Sequence, residues 1–235
     1  MALPILNTPT YEVELPISKQ NVKYRPFLVK EEKILLMALE SQDQKQIMNA
    51  MRDIIDACTF GKIESRELPV AELEFLFLKL RSKSVGEKSN IGLKCTSCST
   101  QNDFEINLEE VDLDIQGAKS NKLMLTDNVG IIMKYPTSDD VLRNIDSKKS
   151  DVENTYAVIA ASIDKIFDSQ NVYEASTQSK KELQDFIDSL NKQQFELIKD
   201  FFTNLPKLKL PVDFMCTKCG ASNHVVLEGL ESFFA

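Results

Sequence analysis

Four of the five cysteines in this chain fall into two C-x-x-C pairs, Cys95 with Cys98 and Cys216 with Cys219. Two thiolates at that spacing converge on one tetrahedral metal ion, and two such pairs supply a full set of four ligands. The neighbourhoods repeat as well. Cys95-Thr-Ser-Cys98-Ser-Thr-Gln-Asn102 matches Cys216-Thr-Lys-Cys219-Gly-Ala-Ser-Asn223, each position recurring 121 residues later (95 to 216, 98 to 219, 102 to 223). A strand-like run follows each pair, at 104–108 and 225–227. The pattern predicts two zinc knuckles facing each other in a ribbon, with zinc in a structural role: four thiolates leave no open position for a catalytic water. The competing readings are local disulfides, a redox dithiol or unrelated thiols. Disulfides fit poorly with a cytosolic chain, and a thioredoxin-like dithiol needs a βαβ setting that neither pair has.

Other chemistry is sparse. His224 is the single histidine, so no second imidazole exists for a metal cage or a proton relay. It lies five residues after Cys219 but falls opposite Asp103 in the internal repeat, and reads as a surface residue or one that backs the ligands. Cys58 follows Ile54 and Ile55 on an apolar helical face, where a thiol behaves as a small hydrophobe. No phosphate-binding glycine loop, nucleophile elbow or H-E-x-x-H occurs. Asp112-x-Asp114-x-Gln116-Gly117 imitates the first half of a calcium loop, but Leu123 stands where the bidentate Glu is required. An enzyme is not expected.

The elements that must position the knuckles follow from periodicity. Tyr11-Glu-Val-Glu-Leu15 alternates with period two and is answered by 22–27, a short hairpin. Helices are expected from Lys30 to about Leu39 with Ile34, Leu35 and Ala38 on one face, then through Ile47, Met51, Ile54 and Cys58. A third runs from Pro69 through Leu73, Leu76, Phe77 and Leu80 to about Gly86. The 117 residues between Cys98 and Cys216 exceed any ribbon loop and must carry structure of their own. There the pattern predicts a hairpin near 123–133, a short helix after Asp139-Asp140, and an amphipathic helix carrying Val152, Tyr156, Ile159, Ala160, Ile163 and Phe167. Two more helices follow, opened by the caps Ser179-x-x-Glu182 and Asn191-x-x-Gln194. The expected fold class is α+β, mainly helical, with short β-hairpins and a zinc ribbon formed by the two distant knuckles. The expected division is 1–90 for the N-terminal hairpin and helices, 91–122 with 207–235 for the ribbon, and 123–206 for an inserted, mainly helical region.

A hydrophobic content of 43% over 235 residues suffices for a real core. With 36 acidic against 28 basic residues the net charge is -8, and the overall field repels polyanions. No apolar run approaches the roughly 20 residues needed to cross a bilayer, and the start lacks a secretory signal, so a cytosolic chain without a membrane partner is expected. One segment departs from the acidic average: Lys79, Arg81, Lys83, Lys88 and Lys94 with Glu87 as the single acid. The apolar ends, Met1 to Leu6 and Phe233-Phe234, are expected either as contact surfaces for partners or tucked into the chain's own core.

Two segments carry a family resemblance: Tyr24-Arg-Pro-Phe27-Leu-Val-Lys-Glu-Glu-Lys33-Ile-Leu-Leu-Met-Ala38 and Leu73-Glu-Phe-Leu-Phe-Leu-Lys79-Leu-Arg-Ser-Lys83-Ser-Val-Gly86-Glu87. With the ending Leu227-Glu-Gly229-Leu-Glu-Ser-Phe233-Phe234, they resemble the baseplate hub and hub-assembly proteins of T-even-type contractile-tailed phages, which also carry paired C-x-x-C motifs. Residues 120–206 are less diagnostic. The resemblance implies a non-enzymatic structural or assembly role in the phage tail baseplate hub, with other hub proteins as partners. The expected location is the host cytoplasm during assembly, and the tail baseplate if the chain stays in the virion. Nucleic acid is not an expected partner; the alternative is a nucleic-acid-binding zinc-ribbon regulator using the 79–94 segment with Lys207, Lys209 and Lys218. Oligomeric state is not encoded in any of these features.

Overall fold

The computed structural model describes residues 7–117, 120–146 and 148–233. In chain order the elements are β1 (Tyr11–Glu14), β2 (Asn21–Tyr24), α1 (Val29–Ser41), α2 (Gln44–Cys58), α3 (Val70–Val85), β3 (Lys88–Lys94), β4 (Gln101–Asn107) and β5 (Asp112–Asp114). They continue with β6 (Lys122–Met124), β7 (Gly130–Met133), α4 (Ser138–Asn144), α5 (Asp151–Ala161), β8 (Ile163–Phe167), β9 (Val172–Glu174), α6 (Lys180–Asp188), α7 (Lys192–Thr203), β10 (Lys207–Met215) and β11 (Ser222–Glu228). A short 3-10 turn, Leu230–Phe233, follows. Two compact units result. The first is drawn from the described residues up to Ser65, from Ala71–Ile115 and from Lys207 onward; the second comprises Arg66–Val70 and the described part of Gln116–Pro206.

In the first unit β1 and β2 form the expected hairpin, with Tyr11 opposite Tyr24. Its turn is fixed by Glu72 of α3, a fully buried carboxylate that accepts the Ile17 and Ser18 N–H groups at 2.6 and 2.7 Å. The α3 helix is buried around most of its circumference, from Leu73 through Leu80, as an all-round apolar helix must be. Gly86, at φ 142°, ends it in a conformation that side chains disfavour. Helix α1 departs from expectation: Ala38 is buried, but Ile34 is 43% exposed. Glu31 turns inward instead, meeting Arg25 at 2.9 Å and accepting the Leu28 N–H at 2.8 Å, so a buried ion pair occupies the place of an apolar contact. The β3–β4 hairpin and the three-stranded sheet β11-β10-β5 complete the unit, all antiparallel.

The second unit holds the antiparallel sheet β6-β7-β8-β9 and helices α4 to α7. Its core joins Ile131 and Met133 of β7, Ile159 of α5, Ile163 of β8, Ile187 of α6, and Ile198 and Phe201 of α7. Both predicted caps form reciprocally: the Ser179 N–H donates to Glu182 and the Glu182 N–H to Ser179, with the same exchange between Asn191 and Gln194.

The mainly helical expectation is overturned: 42% of the described residues are helix, 3-10 turns included, and 26% are strand, the latter in four sheets of two to four strands. The fold is α+β without helical dominance. One source of the error is the segment through Ile163 and Phe167. The helix ends at Ala161, Ser162 turns the chain by bonding its hydroxyl to the Val158 carbonyl at 2.8 Å, and 163–167 is strand β8 against β7. Residues four apart share a face in both helix and strand, so that spacing could not separate the two.

Candidate metal centre

The β3–β4 and β10–β11 hairpins are closed by equivalent connections, 95–100 after Lys94 paired with Gln101 and 216–221 after Met215 paired with Ser222. In the first, the Cys95 N–H donates to the Thr100 carbonyl and the Ser99 N–H to the Cys95 carbonyl, both at 2.9 Å. In the second, the Cys216 N–H donates to Ala221 at 2.9 Å and the Gly220 N–H to Cys216 at 3.0 Å. The fifth position of each turn is left-handed, at φ 58° for Ser99 and 70° for Gly220. Two copies of one short sequence thus fold into two copies of one knuckle.

The knuckles bring all four predicted cysteines together: the Sγ atoms of Cys95, Cys98, Cys216 and Cys219 lie within 4.8 Å of one another. Cys95 approaches Cys219 at 3.7 Å and Cys98 approaches Cys216 at 3.6 Å. A zinc–sulfur tetrahedron with bonds of about 2.3 Å has edges of about 3.8 Å, so the cluster has the dimensions of a four-thiolate site. A disulfide, at about 2.05 Å, is far shorter. Backbone N–H groups of Cys98 and Ser97 hold the Cys95 thiol below its usual range, and those of Cys219 and Lys218 bring Cys216 down to about 6. For Cys219 the Ala221 N–H works in the same direction, but the crowded Cys98, Cys216 and Cys95 sulfurs outweigh it and push the thiol up to about 12. Anionic sulfurs this close repel one another unless a cation stands among them.

Around the sulfurs runs a reciprocal brace that the sequence reading left without a role. The Asn223 carbonyl oxygen accepts the Thr96 N–H at 2.9 Å and its hydroxyl at 2.8 Å, while its amide donates to Ala221 at 2.9 Å. Asn102 does the same from the other hairpin, accepting the Thr217 N–H and hydroxyl at 2.9 Å each and donating to Thr100 at 2.9 Å. Both asparagines are buried. Phe104 and Phe214 pack alongside with ring centroids 4.7 Å apart. The signal was present: Thr after the first Cys and Asn seven positions on are among the residues that recur at the 121-residue offset (96 to 217, 102 to 223). Asn102→Ala or Asn223→Ala removes three hydrogen bonds made by a buried side chain, and each is expected to cost about 1–3 kcal/mol in urea unfolding. A change under about 0.5 kcal/mol for both, the size of an ordinary surface substitution, would refute the brace.

The remaining predicted residues lie apart. Cys58 is fully buried on α2, and burial pushes its thiol up to about 11. His224 is exposed on β11, its Nδ1 2.7 Å from the Asp213 carboxylate on the paired strand. The calcium-loop imitation is strand: Leu113 of β5 pairs with Leu208, and Asp114 meets Lys209 at 2.9 Å. In the basic segment Lys79 is buried and donates to the carbonyls of Glu109 at 3.0 Å and Val111 at 3.3 Å. Lys83 pairs with Glu87 and Glu109, and Lys88 with Glu105. Of the expected contact termini, Met1 to Leu6 and Phe234 lie outside the described residues. Phe233 is fully buried, and its carbonyl accepts the Ser89 hydroxyl at 2.8 Å, so it is core and not a docking surface.

A two-unit α+β chain whose paired knuckles join distant segments at a four-cysteine cluster has the features of a scaffold. Over residues 8–235 it matches the model of the T4 bacteriophage base plate protein family, and it belongs to that family. It is similar to the baseplate hub assembly protein gp26 of Enterobacteria phage T4, with 25% identity over 225 residues, 95% of this chain and 97% of that protein. No solved structure matches it. The family places the chain among phage baseplate structural and assembly proteins.

Proposed function

We propose that the chain is a non-enzymatic structural or assembly component of the phage tail baseplate hub. It docks on other hub proteins in the host cytoplasm, and Cys95, Cys98, Cys216 and Cys219 hold one structural zinc ion. The observation that carries the reading is the alignment with a hub assembly protein across nearly the full length of both chains. The metal would supply a covalent-strength tie, and the chain's own residues do the rest: the knuckle N–H groups stabilise sulfur charge, and the Asn–Thr braces hold the hairpins face to face. With all four positions taken by sulfur, such a site joins parts and leaves none open for a substrate.

Co-production with the other hub proteins of the same phage tests the docking. The expected result is co-elution of this chain with a hub protein in a stable complex. A chain that elutes alone in every pairing would remove the proposal. Nucleic-acid binding is the second reading, and the ion pairs speak against it. Lys79 is buried, Arg81 is half-buried, Lys83 and Lys88 are paired, Lys207 meets Glu228, and Lys209 meets Asp114 and Glu228, so that Lys94 and Lys218 remain as the other exposed cations of the group it relies on. Retention on DNA or RNA that falls steeply with added salt would favour that reading instead.

A further inference from the structure

The close sulfur approaches in the cluster run between the knuckles, Cys95 to Cys219 at 3.7 Å and Cys98 to Cys216 at 3.6 Å. Exposure divides the same pairs unequally. Cys95 and Cys216 are buried, Cys98 is half-buried and Cys219 is exposed, so each close pair includes one residue that solvent reaches. We propose that the cluster is also an oxidative modification site, which a two-electron oxidant of the peroxide class converts into the two cross-knuckle disulfides Cys95–Cys219 and Cys98–Cys216.

The step balances as follows. One sulfur of a close pair, as its thiolate, attacks one peroxide oxygen; an S–O bond forms, the O–O bond breaks, and hydroxide leaves to be protonated to water, giving the sulfenic acid. The partner sulfur of the opposite knuckle then attacks the oxidised sulfur; an S–S bond forms, the S–O bond breaks, and a second hydroxide leaves as water. Each disulfide consumes one peroxide and gives up two electrons, so the Cys95–Cys219 and Cys98–Cys216 pairs together consume two. A metal held by these sulfurs is set free. Because both bonds cross between hairpins, the oxidised chain keeps the two knuckles tied without the ion, whereas disulfides within each C-x-x-C would leave only the Asn–Thr braces between them. The metal release rests on the zinc proposal above; the pairing rests on sulfur geometry alone.

The test uses the full chain, with its zinc content measured first. Hydrogen peroxide is added stepwise while a colorimetric chelator follows released metal and a thiol reagent counts cysteines. Non-reducing trypsin digestion and tandem mass spectrometry then map the bonds; trypsin cuts between Cys216 and Cys219 at Lys218, and fragmentation separates Cys95 from Cys98. About two equivalents of peroxide are expected to consume the four cluster thiols and release the bound zinc, with the buried Cys58 still reduced. Peptides linked 95 to 219 and 98 to 216 are the supporting result. Disulfides within each knuckle, sulfinic acids in their place, or thiols that survive the oxidant would each overturn the proposal. If the chain carries no zinc at the outset, the zinc reading fails while the mapped pairing still decides this one.

Discussion

Cys216→Ser is expected to release zinc and to abolish or greatly weaken cooperative unfolding. The Cys216 sulfur is buried, accepts backbone N–H groups and stands 3.6 Å from Cys98, so the change removes one ligand of four from the interior of the cluster. Zinc binding to such sites contributes about 10–16 kcal/mol at neutral pH. A whole domain is stable by only about 5–15 kcal/mol, so even a fraction of that loss is felt throughout the first unit. The Asn102 and Asn223 braces offset only part of it, at about 1 kcal/mol for each hydrogen bond. Cys95→Ser, Cys98→Ser and Cys219→Ser should behave alike. Two controls separate the cluster from other residues: Cys58→Ser keeps the metal and costs only a modest loss of buried packing beside the Arg25 guanidinium, and His224→Ala keeps it because the imidazole pairs with Asp213. Elemental analysis decides, with about one zinc per chain in the native protein and in both controls. A folded, metal-free native chain whose four thiols alkylate freely would defeat the metal proposal.

The knuckles were legible in the sequence because their chemistry is local. A C-x-x-C spacing and the turn around it are set by a handful of adjacent residues, and the 121-residue repeat announced that two such turns were built to one plan (95 to 216). The α1–α2–α3 run and the capped helices α6 and α7 were legible for the same reason, since periodicity and caps act within a turn or two. What escaped the sequence depends on distant partners. Nothing near Ile163 shows that residues 163–167 will pair with β7, and nothing near Glu72 shows that its carboxylate will serve Ile17 and Ser18. Asn102 recurs in the 121-residue repeat, but its role depends on Thr217, 115 positions away. Lys79 stands in sequence as one of five basic residues over 79–94, and in the fold it is buried and donates to the carbonyls of Glu109 and Val111, 30 and 32 positions away.

Phe233 is the most consequential of these nonlocal partners, and Phe233→Ala is expected to destabilise the protein by about 3–5 kcal/mol, the usual cost of emptying a buried phenylalanine site. The ring is fully buried although it lies near the end of the described chain. Its turn is held at several points: Gly229, at φ 77°, donates its N–H to Leu208 at 3.0 Å, Ser89 donates to the Phe233 carbonyl, and the Leu230 N–H bonds to the Glu74 carboxylate of α3. Deleting 232–235 should therefore lower thermal stability in the isolated protein, which a mere partner-binding tail would not do. The same contact predicts a pH dependence. Burial first, and the charge of Glu231 second, raise the Glu74 carboxyl to about 7 against the Leu230 N–H, which lowers it. A carboxyl that binds its proton more tightly when folded contributes stability in full below its ordinary range, and that contribution is lost as pH rises toward 7. Stability should accordingly fall between about pH 4.5 and 7 on account of this group, and Glu74→Gln should flatten that part of the profile. The decisive pair of measurements is urea unfolding of Phe233→Ala at one pH and of Glu74→Gln across this range. A Phe233→Ala protein as stable as the parent would mean that the ring contributes no core packing, and an unchanged slope in Glu74→Gln would remove Glu74 as its source.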